Sequence, residues 1–201
     1  MKLYHIHRRD NLDELYVPGK TFEVGKDYNQ MTKLQLELSP TEMRTEGKNR
    51  EPFDFFIGFS PEFTRELDVF GINELCKNGY FYAYNMKILV REYILELARL
   101  SVNPEAPSRF NCMWLTDNMA LDYWKEYLRG FNKNVFEVET DDQEGNLFLT
   151  SARLLPDPTK SQIKMIDQAK RYWDPSKKDL KVVNSREYLY TGNVKILSKL
   201  K

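Results

Sequence analysis

Apolar and polar residues alternate from the start of the chain. In KLYHIHRR, Leu3, His5 and His7 fall on one side and Tyr4, Ile6 and Arg8 on the other, which is the period of a strand. DNLDEL then predicts a turn into a short helical piece, ended by Pro18 and Gly19, and KTFEVG a second short strand. TKLQLELS alternates briefly at Leu34, Leu36 and Leu38. PTEMRTEGKNREP is polar, and DFFIGFS is short and apolar. Ser60 followed by Pro61 has the form of a helix start.

The clearest helix is predicted from about Asn85 to Leu100. Ile88 or Leu89, Tyr93, Leu97 and Leu100 recur at helical spacing, with Arg91, Glu92, Glu96 and Arg99 between them. RFNCMWLTDN reads as a strand, after which Asp117 can cap a helix carrying Leu121, Trp124 and Leu128. NVFEVET alternates, DDQEGN turns the chain and LFLT is another strand. Thr159 and Gln162 stand at capping-box spacing before a helix through Ile163, Ile166 and Ala169 toward Trp173. The tail predicts strands, with Thr191-Gly192-Asn193 as a turn inside it.

This order is not a regular βαβ alternation, and neither a glycine-rich dinucleotide fingerprint nor a phosphate-loop lysine motif is present. The expected class is α+β, a split sheet with packing helices. At 201 residues one domain suffices, spanning 1–201 with a variable insertion at about 26–80. The 30 basic and 30 acidic residues cancel, which argues against broad binding to a nucleic acid backbone and leaves room for a local basic patch. Cys76 and Cys112 lack metal-type spacing and are expected to be reduced core residues. No leader or membrane span is read, so the cytoplasm is the expected location.

Chemistry gathers at three places. His5 and His7 are the only histidines and share one strand face. Two ligands are too few for a metal, so no metal is expected. The pair is open to general acid–base work, to a plain polar strand face, or to a pocket that reads a polar ligand by neutral hydrogen bonds. Arg8, Arg9 and Asn11 follow, suited to phosphates or ribose hydroxyls. In the centre, Arg109 opens an apolar strand and can reach a phosphate, while Trp114 and Trp124 read more readily as core than as stacking platforms. Near the end, Glu187 precedes a glycine turn. Leu189 shares its face, and Tyr188 and Tyr190 point away. It reads either as an exposed edge glutamate or as a carboxylate aimed at developing positive charge or a ribose hydroxyl.

YHIHRRDNL, PSRFNCMWLTDNMALDYWKEYL and EYLYTGNVKI together resemble a bacterial family described only as a domain of unknown function, number 2441. More distantly they are similar to the ADP-ribosyltransferase superfamily, including DNA-modifying toxins of the DarT type. That resemblance implies a split antiparallel or mixed sheet with NAD lying across it as substrate. It gives His5 the nicotinamide ribose, places His7 where the toxins carry Thr, and matches Asn11 with the Asn-Leu that follows. Arg109 or Arg9 would meet the pyrophosphate. Trp114 to Thr116 match the strand that sets an aromatic against nicotinamide, and Glu187 becomes the catalytic carboxylate. The reaction implied is transfer of ADP-ribose to a nucleotide, nucleic acid or protein acceptor. The alternative function is a non-catalytic binding module for a protein or a short single-stranded nucleic acid, using the aromatic runs FFIGF and GYFYAY.

Overall fold

The computed structural model describes residues 2–8, 13–37, 43–45, 48–50, 69–129, 133–141 and 144–200. The chain divides into two compact units, one of residues 1–29 with 91–201 and one of residues 30–90.

The first unit is built on a long final strand. Its strands are β1 (Leu3–Arg8), β2 (Thr21–Val24), β5 (Met113–Leu115), β6 (Lys133–Thr140), β7 (Asn146–Ser151) and β8 (Arg186–Leu200). Every described pairing among them is antiparallel. The first half of β8 lies between β5 and β7, and its second half between β6 and β2. The ladders close on themselves: β8 pairs with β6, β6 with β1, β1 with β5 through the Tyr4–Thr116 bridge, and β5 with β8 again. Alternation then sends Leu3, Met113, Leu115, Phe136, Val138, Tyr188, Tyr190, Val194 and Ile196 to one inner cluster.

Residues on the other face meet helices. The helix α2 (Val69–Val102) belongs to the first unit from Arg91 onward. With α4 (Gln162–Trp173) it packs Leu95, Ala98, Ala169, Tyr172 and Trp173 over Leu189, Trp114 and Phe148. The short α3 (Leu121–Tyr127) buries Leu121 against Tyr4 and Val135. The fold is therefore α+β, an antiparallel sheet packed by helices. No helix among the described residues is long and apolar enough to cross a membrane.

The second unit contains α1 (Gln30–Glu37), the two-stranded pair β3 (Met43–Thr45) and β4 (Lys48–Arg50), and the first part of α2. The GYFYAY run lies within that helix, where Tyr80 and Tyr84 are exposed and stacked at 6.2 Å. FFIGF and the Ser60-Pro61 helix start lie outside the described residues.

Several local expectations are corrected. The Leu34–Leu38 alternation is a helix over Gln30–Glu37, because Gln, Met, Lys, Leu and Glu are good helix formers and outweigh so short an alternation. In α2, Tyr93, Leu97 and Leu100 are exposed, and Glu92, Leu95 and Ala98 face inward. In α4, Ile163 and Ile166 are exposed, and Met165, Ala169, Tyr172 and Trp173 are buried. No capping box forms there: the residue before the helix is Ser161, without a side-chain cap, and Thr159 donates to Asp157. Gly192 does not turn the chain back. At φ +129° it bends one continuous strand. Both cysteines are free, but Cys76 is exposed and only Cys112 is buried.

Candidate functional site

The two histidines follow Leu3 onto the inner side of the sheet. Their ring centroids are 5.9 Å apart, and the ring of Tyr16 stacks on both, at 3.8 Å from His7 and 5.1 Å from His5. His5 Nδ1 is 3.0 Å from the Trp114 carbonyl and donates to it, since a carbonyl only accepts. His7 is buried and His5 half-buried. Among the described residues no three His, Cys, Asp or Glu side chains gather as a metal-binding group.

On the helix side, Glu187 and Leu189 point toward α2 and α4, as the alternation of EYLY predicts. Glu187 is buried, not exposed at an edge, because this half of β8 is flanked by β5 and β7. Tyr172 donates to its Oε1 at 2.6 Å, and Arg109 Nη1 lies 3.4 Å from the same oxygen. Arg109 Nη1 also donates to the Tyr172 hydroxyl at 2.6 Å, and Arg109 Nε to Glu92 at 2.8 Å. Glu92 is held from its other side by Arg91, at 2.7 Å. Burial pushes the Glu92 carboxyl up, but Arg109 and Arg91 outweigh it and hold the group below the usual range. Burial also pushes Glu187 up, and there Arg109 and Tyr172 offset it only in part, since the arginine lies closer to Glu92. Burial raises the Cys112 thiol far above its ordinary value, which makes it inert packing.

The sheet thus lies between the histidines and Glu187. Trp114 touches both groups, through its carbonyl to His5 and through its ring, 5.4 Å from the Arg109 guanidinium carbon. Thr116 is buried, and its backbone forms the bridge to Tyr4. Asp117 accepts from Met119 N and Ala120 N, and from the Tyr188 hydroxyl at 3.0 Å, so it caps the turn before α3. Arg9 and Asn11 lie outside the described residues. Of the residues singled out from sequence, Arg109 meets Glu187 and His5 meets His7 and Trp114. Sequence reasoning missed Glu92, Tyr172 and Tyr16 as their partners. Glu92 carried one signal, a carboxylate three residues before the buried Leu95.

A groove of about 470 Å³ opens at the bend of β8. Gly25 and Gly192, both with positive φ, put backbone on its surface, and Arg99, Ser108, Asn111 and Glu144 add polar side chains. Arg99 is fixed by Glu96 at 2.8 Å and by the carbonyls of Pro104 and Ala106, and Ser108 donates to Glu96 at 2.8 Å. Asn111 Nδ2 donates to the Gly25 carbonyl at 2.7 Å, which fixes the amide orientation. Among the described residues, Asn111 Oδ1 is left buried with no donor. An unsatisfied buried acceptor costs about 1–3 kcal/mol. This residue also escaped the sequence reading, which ran a strand through it where the structure has a turn before β5, and a lone Asn carries no spacing.

The family described as "Protein of unknown function (DUF2441)" matches residues 3–201, and the chain belongs to it. No curated protein matches.

Proposed function

We propose that this DUF2441 chain works by binding, and that the groove at the bend of β8 holds a small polar ligand through an N–H or O–H donor. The observation that carries this reading is Asn111 Oδ1, a buried acceptor without a donor, on a wall fixed by Gly25 and Arg99. A ligand N–H that reached Oδ1 would recover the lost hydrogen bond, which requires this buried oxygen to open to the groove.

A second reading is the transfer of ADP-ribose from NAD that the resemblance to DarT-type toxins implies. In its favour, Arg109 and Glu187, 78 residues apart, meet at one place beside Trp114. Glu187 would stabilise positive charge at the anomeric carbon as nicotinamide leaves, with His5 orienting the ribose. This requires Glu187, now buried under Tyr172 and Arg109, to become open to NAD.

One titration separates the readings. Amide resonances are followed while NAD, nicotinamide or adenosine, all N–H donors, is added. Binding in the groove moves Gly25, Asn111 and Gly192 and is lost in Asn111→Leu. NAD at the other site moves Trp114 and Glu187 and is lost in His5→Ala. No saturable shift with any of the three would withdraw both readings.

A further inference from the structure

We propose a second site, for a phosphate monoester, in the pocket between the turn after β7, the last turn of α4 and the segment 176–182. The pocket is about 290 Å³. Arg153, Arg171 and Lys178 line it, against one carboxylate, Asp179. That carboxylate is already engaged. Its Oδ1 accepts from Arg171 at 2.9 Å, and its Oδ2 accepts from the backbone N–H and the hydroxyl of Ser176 at 3.0 and 2.7 Å. Asp179 therefore orients Arg171 and shapes the turn, and does not neutralise the other two cations. Among the described residues neither Arg153 nor Lys178 has a carboxylate partner.

Three cations against one carboxylate leave a local excess of two positive charges, in a chain whose 30 basic and 30 acidic residues cancel as a whole. A phosphate monoester carries close to two negative charges at neutral pH. The cations come from separate pieces of backbone, each set in place locally. Arg153 sits in the 3-10 turn Ala152–Leu154 capped by Ser151, and Arg171 in the last turn of α4. Leu154 and Val182 supply apolar wall, which suits the carbon group of an ester more than a bare ion.

The test is calorimetric titration of the full chain with glycerol phosphate and with inorganic phosphate. Saturable binding of the ester is expected, tighter than inorganic phosphate and weakening as salt is added. Arg153→Ala and Lys178→Ala should each weaken it about tenfold, the scale of one charge-assisted hydrogen bond. Arg153→Lys should keep most of the affinity. Arg129→Ala, which removes an exposed arginine paired with Glu126 and absent from the pocket lining, should change nothing. All three side chains are exposed, so the four variants should melt with the wild type. Absence of saturable binding, or Arg153→Ala and Lys178→Ala binding as the wild type does, would overturn the site. Ester no tighter than inorganic phosphate would overturn the assignment to a monoester.

Discussion

Two arginines and two glutamates form one charge-balanced group, Arg109, Glu92 and Glu187 buried and Arg91 half-buried, with the Tyr172 hydroxyl passing a hydrogen bond from Arg109 to Glu187. The balance sets the cost of breaking it. Arg109→Met leaves two buried carboxylates with one arginine and should destabilise the first unit by about 3–5 kcal/mol, read as a lower urea midpoint. A change under about 1 kcal/mol would mean that water already reaches the group. Glu187 also carries a pH signature. Its folded carboxyl lies above the ordinary 4.5, raised first by burial. The unfolded chain therefore releases this proton at lower pH than the folded chain does. The group's contribution is fully present below 4.5 and is lost as pH rises through the folded value. Compared with Glu187→Gln, the wild type should lose relative stability as pH rises across that window, in paired urea titrations. A gap moving in favour of the wild type with rising pH would show that Arg109, and not burial, governs Glu187. Glu92 has the opposite sign, since its carboxyl is held down: its contribution is present above 4.5 and lost as pH falls through the folded value.

At the scale of elements the bend in β8 decides most of the arrangement. Gly192 sits at φ +129°, and a Cβ there would come within 2.7 Å of the Tyr190 hydroxyl and 2.8 Å of the Gly145 Cα. That hydroxyl donates to the Asn193 carbonyl at 2.9 Å and accepts from Asp141 N at 3.1 Å, tying the bend to the turn after β6. Gly192→Ala should then cost about 1–3 kcal/mol in strain and speed amide exchange in Val194 to Leu200, the half of β8 that pairs with β6. An unchanged midpoint would place the bend's origin elsewhere. This element also shows how far sequence reading reaches. The alternation of Leu3 to Arg8 and of Val135 to Glu139 was legible because each strand has one face on the inner cluster. Thr191-Gly192-Asn193 has the composition of a turn, and only the partners on both sides of β8 keep it a strand. The buried face of α2 was misread for a related reason. Tyr93, Leu97 and Leu100 form a regular apolar stripe, yet the inward stripe contains Glu92, made compatible with burial by Arg109, 17 residues away. The site was legible in part: His5 and His7 were paired by spacing, and alternation put Tyr188 and Tyr190 on the opposite face from Glu187. The contact of Arg109 with Glu187 spans 78 residues, and no local pattern encodes it.

For the whole molecule, the closed ring of pairings predicts how the first unit unfolds. Its inner cluster draws on Leu3 at one end of the chain and Ile196 at the other, with Met113 and Phe136 between. No subset of neighbouring strands holds that cluster alone, so the unit should unfold in one step and fold slowly, as non-local antiparallel pairing requires. Trp114, Trp124 and Trp173 are the three tryptophans of the chain, and all belong to this unit. Tryptophan fluorescence therefore reports the first unit alone, and helical circular dichroism also includes the part of α2 in the second. Leu3→Ala and Ile196→Ala should each lower the fluorescence midpoint by an amount equivalent to about 2–5 kcal/mol, the cost of emptying a packed site. In each variant, amide exchange should quicken together in β1, β5, β6 and β8. Ending the chain at Asn193 should remove the fluorescence transition altogether, because β6 then loses its partners from Val194 to Leu200. If Leu3→Ala instead released β1 while β5 and β8 kept their protection, the Tyr4–Thr116 bridge would be an edge contact, and the ring would not be the cooperative unit.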